Sequence, residues 1–344
     1  MKYEKILHKK QPYSLDDLRF LAANARSEFN RIFTENPVEA VLFIENFIDR
    51  FPQQRHLARE IAYLARNDGV ASIYKRLTKT FLDVTEKLVT IGRATYNLPP
   101  IFENVYSIRS IGEIVAQSAM VRQSMTLGLL DTKPILTLPQ GRDSYRLVNM
   151  GLLPYLADTF DITSDEKEIS YFTKMSEIVP YHGQLIKVTN DIYGGDWEVI
   201  PTLYTLLSKI GKRPFAFELL EETTDIATKF LTTNGFDLNK PFVTLHLRSE
   251  GYSDSPNYAW RNANVEDYEL AIEWLLNQGI QIIRIGHARM PPIKNRRGLI
   301  DLTQIQRPGE VDIYLCAKNL FFLEPTVDLI QLHNILEHLC LFPR

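Results

Sequence analysis

Two apolar runs constrain this chain more than any other feature: Phe242-Val243-Thr244-Leu245-His246-Leu247-Arg248 and Ile280-Gln281-Ile282-Ile283-Arg284-Ile285-Gly286. A strand with one wet face alternates apolar and polar residues, whereas a strand covered on both faces is apolar nearly throughout. Between the runs, Val265 to Gln278 has helical spacing and stops at Gly279, a residue suited to the backbone turn of a helix end. Strand, helix, strand in that order predicts an α/β layer structure with a parallel sheet. Gly298-Leu299-Ile300-Asp301-Leu302 and Leu320-Phe321-Phe322-Leu323 read as further strands, with a helix over Asp312 to Lys318 before the last.

The same alternation begins after Leu98-Pro99-Pro100. Pro134 to Leu138 and Gly183 to Val188 read as strands, and Trp197 to Ile210 and Leu219 to Thr233 as helices. Asn234-Gly235 ends the last of these, and the polar link Asp237 to Pro241 sets an expected domain boundary near residue 236. Before this lies an α-helical region over 1–100. Ser14 caps a helix carrying Leu18, Leu21, Phe29 and Ile32 on one side. Asn36-Pro37 stops that helix and starts the next, which ends at Phe51-Pro52. Two more helices follow, over His56 to Arg66 and Ser72 to Tyr96. The lengths suit helical hairpins of the tetratricopeptide kind, without the tryptophan and glycine signature of that repeat. Two readings stand: an ordinary helical cap, or a surface for a protein partner.

Hydrophobic residues at 45% supply a sizeable core, and a net charge of −3 gives no field for nucleic acid or anionic lipid. The cysteines, Cys316 and Cys340, form no disulfide framework and no zinc spacing, which suits a reducing compartment. Cys316 lies in an apolar run and reads as a small buried hydrophobe. Met1 to Pro12 is polar and basic, unlike a signal peptide, and no run reaches about 18 apolar residues. The expectation is a cytoplasmic protein with no transmembrane segment, and with peripheral membrane contact left open.

In parallel sheets, ligands gather beyond the carboxyl ends of the strands. His246 and Arg248 stand at one such end, Arg284 and Gly286 at the next, and Asp301 at a third. Strand residues alternate faces, so His246 and Arg248 share one. An arginine fork matches phosphate oxygens, histidine donates or exchanges protons near neutral pH, and glycine lets backbone approach a ligand. The polar, aromatic loop from Ser249 to Asn262 is long enough to be functional. The plain alternatives are a hydrogen-bonded core histidine, a strand-end ion pair, and turn or cap roles for Asp301 and Asp312. Spacing alone supports an anion or nucleotide site.

Thr244-Leu245-His246-Leu247-Arg248, then Tyr252, Arg261-Asn262-Ala263, Tyr268, Ile283-Arg284-Ile285-Gly286 and Asp312-Ile313-Tyr314-Leu315-Cys316 resemble a family of bacterial glycosyltransferases of surface-polysaccharide synthesis. That family is similar to fucosyltransferases with a histidine-x-arginine strand end. The likeness is strong over 241–322, weaker over 106–235, where Ile111-Gly112-Glu113 and Gly128 look like its opening strand–turn elements, and thin in 1–100. It implies a GT-B-like fold of two Rossmann-like domains: an acceptor domain at 101–235 and a donor-nucleotide domain at 236–344. It implies transfer of a sugar, of hexosyl or fucosyl type, from a nucleotide-sugar donor to a glycan or glycolipid acceptor. No cofactor and no metal are implied, because basic side chains and a helix N-terminus neutralise the leaving diphosphate. The lack of an aspartate-x-aspartate motif agrees. Arg248 would neutralise the diphosphate with His246 assisting, and Tyr252, Arg261, Asn262, Arg284 and Gly286 would complete the donor site. Glu113 is a candidate base for the acceptor hydroxyl, against a helix-capping role, and His182 is another.

Where relatives carry a glycine- and serine-rich turn, this chain has Glu324-Pro325-Thr326-Val327-Asp328, and Glu324 would repel a diphosphate. The last domain is short for the family. The expectation is an incomplete, truncated or frame-shifted donor domain with an exposed sheet edge. The alternative function is a non-catalytic, degenerate transferase acting as an interaction protein through its helical N-terminus. No P-loop or dinucleotide fingerprint favours an ATPase or a dehydrogenase.

Overall fold

Helix α1 (Leu15–Glu35) opens on a reciprocal cap: Ser14 Oγ accepts from Asp17 N at 3.1 Å, and the Asp17 carboxylate accepts from Ser14 N at 3.1 Å. Asn36 closes α1 and opens α2 (Pro37–Arg50), its side-chain oxygen accepting from the amides of Val38 and Glu39. The computed structural model of the chain describes residues 14–96, 105–107, 111–131, 133–138, 149–167, 169, 186–248, 262–294 and 296–324. It is mixed α/β, as the alternation predicts, with two compact units. The first comprises Met1–Val105, Ser124–Ile135 and Thr163–Leu206, and the second Tyr106–Gln123, Leu136–Ile162 and Leu207–Arg344.

In the first unit, α1 packs on α2, and α3 (His56–Asn67) packs on α4 (Ala71–Tyr96). Leu21, Ile44, Ile48, Ile61 and Leu77 are fully buried there. Each such side chain stabilises the fold by about 1.5–3 kcal/mol through removal from water. A two-residue hairpin of β4 (Ile186–Lys187) and β5 (Tyr193–Gly194) follows, antiparallel, and leads into α7 (Asp196–Lys209). Of the strand expected over Gly183 to Val188, Ile186–Lys187 is β4, Val188 follows it, and the first three residues lie outside the described ones. The Tyr74 hydroxyl of α4 donates to Glu198 Oε2 at 2.6 Å and accepts from Gly195 N at 3.3 Å, while Lys75 Nζ stands 3.1 Å from Glu198 Oε1.

This cluster makes stability depend on pH at both ends of the scale. Burial, then Glu198, holds the Tyr74 hydroxyl well above the usual tyrosine range. Burial opposes the charge on Glu198, but the Tyr74 hydroxyl, Lys75 and the Gly195 amide outweigh it and hold its carboxyl below its ordinary value. A raised group stabilises fully below its unfolded value and loses this as pH rises; a depressed one loses it as pH falls. Wild-type stability is expected to decline above about pH 10 and below about pH 4. Tyr74→Phe removes the alkaline decline, as read by denaturant unfolding at a series of pH values. The same alkaline slope in both proteins would refute the assignment.

Apart from one end residue of each strand, a three-stranded sheet of order β1-β2-β3 belongs to the second unit: β1 (Val105–Ser107), β2 (Ile135–Thr137) and β3 (Asp161–Thr163). Ile111–Glu113, expected at a strand–turn junction, instead begins helix α5 (Ile111–Thr126). A one-turn helix, α6 (Leu153–Leu156), precedes β3.

The second sheet holds the candidate site. Its strands are β6 (Phe242–Leu245), β7 (Gln281–Arg284), β8 (Leu299–Asp301) and β9 (Phe322–Leu323), in the order β8-β7-β6-β9 with every neighbouring pair parallel. On one face, Ala227 and Leu231 of α8 (Glu221–Thr233) and Val311 and Leu315 of α10 (Gly309–Lys318) pack with Phe242, Ile283 and Ile285. On the other, Ile272 and Leu275 of α9 (Glu269–Asn277) pack with Val243, Leu245, Leu247 and Ile282. Burial on both faces explains the two apolar runs. Helix α8, read from the sequence as preceding the boundary near 236, shares this core with β6. The helix expected from Val265 starts as a 3-10 turn over Val265–Tyr268 before α9.

Candidate functional site

Register places the candidate residues. Leu245 of β6 pairs with Arg284 of β7 and with Leu323 of β9, and Arg284 pairs in turn with Asp301 of β8. The carboxyl ends of all four strands are therefore level. Chain order reverses between β6 and β9, because β7 and β8 extend the sheet on one side and β9 returns to the other. A crevice forms beyond such a reversal, where connections leave in opposite directions.

His246 and Arg248 follow β6 at that reversal. The His246 amide donates to Leu323 O at 3.1 Å, and Arg248 O accepts from Ala263 N at 2.7 Å. Both side chains are buried, with His246 3% and Arg248 4% exposed, which rules out a surface ion pair for Arg248. His246 Nδ1 lies 3.2 Å from Glu324 Oε2, and the Glu324 side chain is wholly buried. Glu324, expected to repel a diphosphate, is also a partner of His246. Only spatial neighbours could reveal this, because the two residues are 78 apart in sequence.

Arg284 is completely buried, and its Nη1 donates to Asp301 Oδ2 at 3.0 Å and to Pro291 O at 2.8 Å. Among the described residues, its Nε and Nη2 have no hydrogen-bond partner. Asp301, expected to be a turn or cap residue, also accepts from Ile293 N at 2.9 Å and from the Thr303 amide and hydroxyl at 2.9 and 2.7 Å. The register signal was available: an arginine and an aspartate stand at matching strand ends. Arg284 thus anchors the segment after β7 and borders a cavity of about 710 Å³ that Asn262, Asn264, Glu266, Glu269 and Lys294 also line. Asn262 and Arg284 come together there. Glu269 is held by Arg296 at 2.6 and 2.7 Å.

Gly286 serves packing. Its φ is +153°, and an added Cβ would stand 2.8 Å from Met290 Sδ, so the space expected for a ligand is filled by a side chain. Arg307, which the sequence reading did not single out, binds Asp312 at 2.6 and 3.2 Å and Leu302 O at 2.8 Å. Glu113 is the third residue of α5. Tyr252, Arg261 and His182 lie outside the described residues. Among the described residues, no group of three or more His, Cys, Asp or Glu could hold a metal ion, and no helix is long and apolar enough to cross a membrane.

No protein-family model matches the chain, and no curated protein or solved structure matches it. The likeness to glycosyltransferases rests on the residues quoted for it.

Proposed function

We propose that the second unit binds a nucleotide sugar beyond the carboxyl ends of β6 and β9, and that the chain transfers the sugar to a glycan or glycolipid hydroxyl. The observation that carries this reading is the placement of buried His246 and Arg248 at the reversal of a parallel sheet. In this reading the sheet is the donor half of a two-domain, GT-B-like transferase, and Arg248 faces the diphosphate. A buried guanidinium attracts phosphate strongly, because little water competes for it. Arg284 plays a supporting part, since its Asp301 contact commits it to the segment beside the cavity. The acceptor base in this reading is Glu113, as the resemblance implies.

Titration of the full chain with nucleoside diphosphates tests the reading. Arg248→Ala is expected to lose a charged hydrogen bond of about 1.5–3 kcal/mol, roughly 10- to 150-fold in Kd. Equal binding by both proteins would sink the role of Arg248.

A second reading, a degenerate transferase that acts as an interaction protein, draws on two observations. The buried Glu324 carboxylate stands beside His246, where it opposes a diphosphate, and Val38 and Leu42 of α2 are 62% and 45% exposed, one helical turn apart. Absence of nucleotide binding by the wild-type chain would favour it.

A further inference from the structure

Only one corner of Arg284 is committed. Its Nη1 donates to Asp301 Oδ2 and to Pro291 O, while Nε and Nη2 have no hydrogen-bond partner among the described residues. Nε and Nη2 lie along one edge of the planar guanidinium, and together they form the two-donor fork that matches the paired oxygens of a carboxylate or a phosphate. The side chain is completely buried, so bulk water does not satisfy this edge, and a buried donor left alone is costly.

Arg284 borders the cavity of about 710 Å³ beyond β7, a size that suits a small molecule. Asn262, Asn264, Glu266 and Lys294 line the same cavity and are exposed, so it opens to solvent on their side while Arg284 closes its inner side. Asp301 fixes this geometry. It accepts from Arg284 and also from Ile293 N at 2.9 Å, which ties the arginine to a wall of the cavity.

The charges around the cavity select among anions. Asp301 neutralises Arg284, Arg296 neutralises Glu269, and Lys294 is matched by Glu266. No surplus of positive charge favours a dianion such as phosphate, and the carboxylates of Glu266 and Glu269 oppose it. A single negative charge on the fork is better tolerated. The carboxamides of Asn262 and Asn264 donate and accept, and the two carboxylates accept, which suits hydroxyl groups. We infer that this cavity binds a sugar acid, with its one carboxylate seated on Nε and Nη2 of Arg284 and its hydroxyls towards the asparagines and glutamates. The sugar part of this inference rests on the proposed transferase reading and names its substrate class: a ring of the uronic-acid type.

The test is a titration of the full chain, labelled with nitrogen-15 arginine, with glucuronate, glucose and inorganic phosphate in turn, following the Nε–H signal of Arg284. Asp301→Ala combined with Arg284→Met identifies that signal by its loss. Glucuronate is expected to shift the signal and to bind about tenfold or more tightly than glucose, which has a hydroxymethyl group in place of the carboxylate. In the double variant this preference is expected to vanish. An Arg284 signal unmoved by glucuronate would overturn the inference, as would equal affinities for glucuronate and glucose, or phosphate binding as tightly as glucuronate. If the double variant does not fold, the wild-type affinities for the three compounds decide. None of the three is a nucleotide, so failure here leaves the nucleotide titration of Arg248→Ala untouched, and the reverse holds too.

Discussion

Asp301→Ala is expected to lower the stability of the second unit by about 3–5 kcal/mol. The loss has a named origin. Asp301 neutralises Arg284, which is fully buried, and removing the carboxylate leaves that guanidinium charged in the interior. The amides of Ile293 and Thr303 and the hydroxyl of Thr303 lose their acceptor in the same step. A buried donor without a partner costs about 1–3 kcal/mol, so these terms exceed any gain from relieving desolvation of one charge. Urea unfolding followed by a probe in the second unit measures it. Asp301→Ala combined with Arg284→Met should recover much of the loss, because a buried ion pair replaced whole by apolar side chains is often tolerated. A loss below about 1 kcal/mol, the range of an exposed pair, would refute this account.

Phe81→Ala is expected to cost about 3–5 kcal/mol in the first unit. Phe81 is 4% exposed in the core of the four helices, so truncation opens a cavity. It also carries charge: the guanidinium carbons of Arg55 and Arg59 lie 5.8 and 6.0 Å from its ring centroid. Arg55 is 3% exposed, and burial, then Arg59, push its guanidinium down to about 10. An aromatic face is one of few ways to favour a cation there without an acid, worth about 0.5–2 kcal/mol. Phe81→Leu separates the two contributions, since it keeps most of the volume and loses the ring. Equal stability of Phe81→Leu and wild type would show that the ring face contributes nothing to holding Arg55.

What could be read in advance was local. Ser14 and Asn36 announce their helices because a cap needs only a polar side chain and the next three residues. The runs at β6 and β7 announce burial on both faces because periodicity is a property of one segment. His246 and Arg248 were legible for the same reason, as polar residues closing an apolar strand. The partner of Arg284 was not legible because it is set by register with β8, nor that of Glu324, because it is set by β9 arriving beside β6. Gly286 was read as room for a ligand, whereas Met290, four residues on, folds back to fill that room. Each of these depends on which segments become neighbours, a choice made by the whole unit rather than by any short stretch.

The strand order β8-β7-β6-β9 has a consequence in time. Pairing β6 with β7 closes a short excursion through α9, while pairing β6 with β9 joins Leu245 to Leu323 over 78 residues and by two residue pairs. Loop closure grows costlier with length and must precede the contacts that reward it. During synthesis, the ribosome releases β6, β7 and β8 well before β9. A nascent chain at that stage already owns two of the sheet's three rungs, yet His246 still lacks Glu324 beside it. The last rung to form is the one that brings Glu324 beside His246, so a chain caught mid-assembly has its sheet begun while this buried pair is still apart.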